Sequence, residues 1–253
     1  MRWIRCAHPR HRGWAVVEGA SVRPLDRAPW LHPAPGAETI PLREVRLLAP
    51  AEPSKIVAVG KNYSEHAREL GGEVPEHPIL FLKPPTALQD PDAPIVYPRL
   101  AGRVDYEGEL AFLVGRTARH VPAARAADYI VGYTCFNDVT ARDIQTADGQ
   151  WTRAKGFDTF APVGPWLVDG LDPANLTLTT RLNGVVRQRA STGQFLWTIP
   201  ELFAFITASM TLLPGDLVTT GTPVGVGPLS PGDTVEVEIE GIGLLRNPVE
   251  AEK

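Results

Sequence analysis

Apolar residues fall into short runs along this chain, and most of the runs end at Gly or Pro. "KIVAVG", "PILFLKP", "YEGELAFLVG" and "YIVGYTCFND" each read as a buried strand. Apolar runs this short, bounded by turn residues, suit strands better than helices. "WAVVEG" and "SVRPL" read as two shorter strands joined by a turn at Gly19-Ala20. "LTLTTRLNGVVRQ" carries Asn183-Gly184, the strongest short hairpin signal in the chain. The C-terminal stretches "PGDLVTTGTP", "GDTVEVEIEGIG" and "GLLRN" add strands separated by Gly turns. Helical spacing is scarcer. "TIPELFAFITASM" is the best amphipathic helix, "VTARDIQTADG" predicts a short one, and "NYSEHAREL" predicts another that Gly71-Gly72 stops.

Many strands with few short helices predict a mostly-β, α+β fold with mixed connections. Regular β-α alternation is missing, which argues against Rossmann and β/α-barrel architectures. Pro24, Pro29, Pro33, Pro35, Pro41 and Pro50 break any helix near the start. Residues 1–49 therefore read as a small β-rich piece with a covering arm, and residues 50–253 as the main domain. A length of 253 residues suits one large domain with such an appendage.

Composition narrows the function classes. Hydrophobic residues make up 43% and charged residues 21%, as in an ordinary globular chain. The net charge is −4 with no long basic run, so nucleic acid is not a favoured partner. Cys6 and Cys135 are the only cysteines and are expected to be reduced thiols. No apolar run is long enough for a membrane helix, and the start "MRWIRCAHPRHRGW" lacks an apolar core of signal-peptide length. A cytoplasmic location is the resulting expectation.

Glu107 and Glu109 sit two apart in "YEGELAFLVG". In a strand such residues point the same way, and two close carboxylates repel unless a cation lies between them. A solvent-facing strand edge is the plainer alternative, weakened by the apolar run that follows. Asp138 ends "YTCFND" at the opening of a helix, where it reads either as an N-cap or as a third carboxylate. Three carboxylates from two strands would make a hard oxygen site for Mg²⁺, with Mn²⁺ or Ca²⁺ as substitutes.

Other polar residues carry weaker signals. His66 and Glu69 lie three apart on one helix face, as a base and the group orienting it, or as a solvated surface pair. Lys155 lies between apolar segments and reads alone as a loop lysine. Arg142 and Gln145 share a helix face that could grip a carboxylate. Gly221, Gly225 and Gly227 in "TTGTPVGVG" fit no Walker or Rossmann spacing, though Gly221-Thr222 can form an anion nest.

The ordered series "VGKNYSEHARE", "PILFLKPPTA", "VDYEGELAFLVG", "GYTCFNDVTARDIQ", "AKGFDTFAPVGPWL" and "LVTTGTPVGVGPLSPGD" resembles the fumarylacetoacetate hydrolase family over residues 50–247. It is most similar to short members: acylpyruvases, oxaloacetate decarboxylases and 2-hydroxyhepta-2,4-diene-1,7-dioate isomerases. The resemblance implies a mixed β-roll/β-sandwich catalytic domain, usually a homodimer. It implies one Mg²⁺ or Mn²⁺ on Glu107, Glu109 and Asp138. His66 and Glu69 match a dyad that activates water, and Lys155 matches an active-site lysine. Arg142, Gln145, Gly221 and Thr222 match residues near a bound keto acid. The expected reaction is C–C hydrolysis of an acylpyruvate through a pyruvate enolate. Isomerisation of a 2-hydroxydienedioate and decarboxylation of oxaloacetate are alternatives on the same site. A relative that only binds a keto acid is the remote one, since every ligand position and the lysine are filled. One stretch departs from the family pattern. "ASTGQFLWTIPELF" places bulky Phe195, Leu196 and Trp197 before the "IP" helix, where relatives are polar. If it lines the pocket, it alters substrate shape.

Overall fold

The computed structural model describes residues 1–65 and 74–253. Strands dominate them. The N-terminal part holds β1 (Arg2–His8), β2 (His11–Glu18), β3 (Ser21–Pro24), β4 (Ile40–Pro41) and β5 (Arg46–Leu48). Next come β6 (Ile56–Gly60), β7 (Ile79–Lys83), β8 (Leu88–Gln89), β9 (Ile95–Tyr97), β10 (Val104–Tyr106) and β11 (Gly108–Val114). After β12 (Ile130–Asn137) and β13 (Thr140–Ala141) lie two short helices, α1 (Arg142–Asp148) and α2 (Thr152–Lys155). The chain continues through β14 (Ala161–Val168), β15 (Thr177–Leu182), β16 (Val185–Ser191) and α3 (Ile199–Ser209). It ends with β17 (Leu217–Thr219), β18 (Gly227–Pro228), β19 (Thr234–Ile239) and β20 (Gly243–Ala251).

The main sheet runs β4-β3-β2-β1-β14-β12-β11-β17-β6-β7. A second sheet runs β16-β15-β19-β20-β9, and a small third one β13-β10-β18. This mostly-β arrangement with few helices is the one the apolar pattern predicts.

β11 explains the packing. Successive side chains of a strand point to opposite faces, and both faces of β11 are buried. Leu110, Phe112 and Val114 enter one core with Leu178 of β15, Val237 of β19, and Phe203 and Ile206 of α3. Ala111 and Leu113 enter another with Trp14, Ile56, Phe136 and Leu217. A strand buried on both faces reads as a continuous apolar run, not an alternating one.

β1 went unread in the sequence because each face of "RWIRCAH" mixes charged and apolar residues, so it shows no clean two-residue period. Ile4 and Cys6 point inward and are fully buried with Ala15, Val22 and Ile40. β1 also pairs with β14, Arg2 opposite Val168 and Trp3 opposite Leu167, so the N-terminal strands extend the main sheet. Cys6 and Cys135 are free and buried. Among the described residues no helix is long and apolar enough to cross a membrane.

Phe112 is fully buried and its ring lies 6.1 Å from that of Phe203. Phe112→Ala should cost about 3–5 kcal/mol, read as a lowered midpoint of urea unfolding with an unchanged slope.

Candidate metal centre

The site forms where one sheet hands the chain to another. β10 pairs with β13 and β18, whereas β11 pairs with β12 and β17. Glu107 lies between them and belongs to neither strand. Its N–H donates to Asn137 Oδ1 (2.9 Å), and its carbonyl accepts from Asp138 N–H (2.8 Å). The single strand expected for "YEGEL" is thus two strands with a joint at Glu107. The expected convergence nonetheless holds. Glu107, Glu109 and Asp138 are all buried, and their ligand oxygens lie within 4.8 Å of one another. Asp138 is not an N-cap: α1 starts at Arg142, and β13 intervenes.

Buried carboxylates require compensating partners. Lys155 Nζ reaches both Glu107 Oε2 (2.8 Å) and Asp138 Oδ2 (2.6 Å). Lys83, at the end of β7, donates to Asp138 Oδ1 (2.6 Å) and to Val139 O (3.2 Å). Arg142 donates to Glu107 Oε1 (2.5 Å), Asp105 Oδ2 (2.9 Å) and Gln145 Oε1 (2.7 Å). Glu109 differs. It accepts Gly221 N–H (2.9 Å), and no cation among the described residues lies within ion-pair distance. Burial, reinforced by the charges of Asp138 and Glu107, raises its carboxyl well above the usual range. Burial also pushes the Lys83 ammonium down despite Asp138. It pushes on Lys155 too, but the charges of Asp138 and Glu107 outweigh it and hold that group above its ordinary value.

The donor set is all oxygen, and one carboxylate, Glu109, has no counter-charge within ion-pair distance among the described residues. A hard divalent cation fits both facts, a preference that Mg²⁺, Mn²⁺ and Ca²⁺ share. Beside the carboxylates is a cavity of about 50 Å³, walled by Phe81 and Trp151, whose rings meet edge to face at 5.2 Å. A larger apolar cavity of about 390 Å³ lies elsewhere, between Ile130, Phe195 and Ile199, and holds none of these carboxylates.

Lys155, which reads alone as a loop lysine, closes α2 and is 2% exposed. Arg142 and Gln145 bond to each other on α1, and Arg142 is also committed to carboxylates. Gly221 turns the chain at φ +89°, and a Cβ there would lie 2.9 Å from Asn62 Cβ. Thr222 Oγ1 donates to Gly108 O (2.9 Å). Gly225 O accepts from the Tyr106 hydroxyl (3.1 Å) and Gly227 belongs to β18, opposite Tyr106; neither lines the cavity beside the carboxylates. His66 and Glu69 lie outside the described residues. Phe195, Leu196 and Trp197 do not line the small cavity. Phe195 packs edge-on against Tyr63 at 5.1 Å, and Trp197 N–H donates to Asn62 Oδ1 (2.9 Å). Lys83, Asp105 and Gln188 were missed in the sequence. Lys83 had one visible signal, a lysine closing the apolar strand "ILFLK" before Pro84.

Fold and site together define a mostly-β chain with a buried cluster of three carboxylates that could hold a cation. The family model described as fumarylacetoacetate (FAA) hydrolase C-terminal matches residues 55–250, and one described as Rv2993c-like, N-terminal matches residues 1–50. The chain belongs to the fumarylacetoacetate hydrolase family. It is 51% identical to Protein Rv2993c of Mycobacterium tuberculosis, covering 98% of each chain. A crystal structure of 5-carboxymethyl-2-hydroxymuconate delta-isomerase from Mycobacterium smegmatis superposes over 100% of both chains, with a TM-score of 0.93 and 48% identity. Oxaloacetate tautomerase Fahd2a of Rattus norvegicus, mitochondrial, is 39% identical over 83% of this chain and 71% of that protein.

A folded-state pKa raised above the unfolded value removes stability as pH rises through that window, because the native state must give up a proton it holds more tightly. In chelator at neutral pH, Glu109→Gln should therefore be more stable than the wild type. The gap should close as pH falls to the ordinary glutamate range. Thermal unfolding of both proteins across that range checks it.

Proposed function

We propose that this chain is a divalent-cation-dependent enzyme that interconverts the keto and enol forms of a 2-oxo acid, or the isomers of the related 2-hydroxydienoate. The observation that carries the reading is Lys155 bridging two of three buried carboxylates beside a small cavity. When bound, a divalent cation supplies a Lewis acid that draws electron density from the carboxylate and oxo oxygens of such a substrate. Lys155 adds a fixed positive charge where the enolate oxygen develops. Asp105 and Gln145 hold the Arg142 guanidinium at the rim, positioned for the substrate carboxylate. Gly221 N–H holds Glu109, and Thr222 lines the same cavity. Phe81 and Trp151 keep water off the reacting carbon. His66, three residues before Glu69 in the sequence, is the proposed proton-transfer group.

Proton transfer leads because the relatives described as an isomerase and a tautomerase need no activated water. Hydrolytic C–C cleavage of an acylpyruvate is the second reading, favoured by the spacing of His66 and Glu69, which suits activation of a water. Both reactions share one electron sink, and oxaloacetate decarboxylation would use it too. Mg²⁺ is the proposed cation, and a homodimer the proposed assembly.

A substrate panel with Mg²⁺ separates the readings. Oxaloacetate and a 2-hydroxydienedioate should show enol–keto exchange that EDTA abolishes and Mg²⁺ restores. Full activity in chelator would sink the metal assignment. Faster cleavage of acetylpyruvate or fumarylpyruvate than proton transfer would put hydrolysis first. Glu109→Ala should lose cation affinity. His66→Ala should suppress acylpyruvate cleavage more than oxaloacetate decarboxylation, and an equal fall in both would remove the water-activating role.

A further inference from the structure

Gln188 is the one fully buried residue on β16, an edge strand whose neighbours Val185, Val186, Arg187 and Arg189 are exposed. Both ends of its amide are used. Oε1 accepts Gly108 N–H (3.0 Å), while Nε2 donates to Thr222 Oγ1 (2.8 Å) and Pro223 O (2.8 Å). Thr222 Oγ1 in turn donates to Gly108 O (2.9 Å). The four bonds allow one amide orientation, since the reverse would set two N–H groups face to face. The result is a closed ring from the N–H of Gly108, through Gln188 and Thr222, back to its C=O.

Gly108 stands between Glu107 and Glu109, where the chain leaves one sheet for another. A Cβ on it would lie 2.0 Å from Thr180 Oγ1, so the second sheet approaches its backbone directly. On this side β17 ends at Thr219, opposite Ala111, and the backbone bond from Thr220 N–H to Leu110 O (3.1 Å) is the next one toward Gly108. Side chains therefore take the place of ladder bonds just where two candidate ligands diverge from the backbone. We infer that Gln188 is a positioning residue for the cation site: with Thr222 it fixes the peptide planes on either side of Gly108, and so the directions of Glu107 and Glu109. The inference rests on the metal reading above but not on the identity of the reaction.

The test titrates the intact chain with Mn²⁺ by calorimetry, alongside thermal unfolding in chelator. Outer-shell partners of ligands typically govern about 10–100-fold in metal affinity, and that is the loss expected for both Gln188→Met and Thr222→Val. The double variant should bind no more weakly than the weaker single one, because either change opens the same ring. Thr222→Ser, which keeps the hydroxyl, should bind as the wild type does. Wild-type affinity in Gln188→Met, with only a lower unfolding temperature, would reduce Gln188 to a structural role and overturn the inference. Should Gln188→Met not fold, equal affinities for Thr222→Val and Thr222→Ser would overturn it instead. A wild type that takes up no Mn²⁺ defeats the metal reading and this inference with it. A wild type that binds Mn²⁺ yet turns over no 2-oxo acid defeats the proposed reaction alone.

Discussion

Three carboxylates held within 4.8 Å of one another inside a protein repel strongly, and much of the surrounding structure answers that repulsion. Lys83 comes from β7, Lys155 from α2 and Arg142 from α1, so three separate elements each deliver one cation to the same place. None of these side chains could stay buried alone, because desolvation of an unpaired charge costs far more than one interaction returns. The cluster is therefore a mutual constraint. It requires the main sheet's far edge, the short helices and the joint at Glu107 to be in register together.

That interdependence governs what could be read from the chain beforehand. Strands β6, β7, β11 and β12 and helix α3 were legible because local apolar pattern decides them. The pair Glu107 and Glu109 was legible because charges beside an apolar strand need a reason, and Asp138 joined them through the family resemblance. The break at Glu107 was not, since it depends on two sheets meeting, and "YEGEL" carries no mark of it. β1 hid because Arg2 and His8 share a face with Ile4 and Cys6, while Trp3 and Ala7 share the other with Arg5. Lys83 and Gln188 were illegible for a related reason. Each looks like an ordinary polar residue on a strand until Asp138, or Gly108 and Thr222, arrive from far along the sequence.

Glycine 108 shows how tightly the pieces couple. The same missing Cβ lets Thr180 approach and lets Gln188 reach the Gly108 N–H, so the second sheet grips the ligand strand through its backbone. Asn62 acts similarly on the opposite loop. It donates to Thr220 O (2.8 Å) and accepts from Trp197 N–H, tying the bulky 195–197 segment to the turn that presents Gly221. That segment stands behind the site, so its size bears on the loop's support and not on the wall of the small cavity.

Charge balance carries the argument one step further. Among the described residues, Asp105, Glu107 and Asp138 lie within ion-pair distance of Lys83, Arg103, Arg142 or Lys155, while Glu109 has no such cation. Burial raises the Glu109 carboxyl and lowers the Lys83 ammonium, so both shifts run toward the uncharged form. A divalent cation bound there would add two positive charges to the cluster. Each substrate carboxylate offsets one of them, and forming the enolate adds one further negative charge beside the cation and Lys155. Under the proposed reading the site is thus more complementary to the enolate than to the keto acid. Preferring the later species is the requirement for accelerating its formation, and it holds whichever bond the reaction goes on to change.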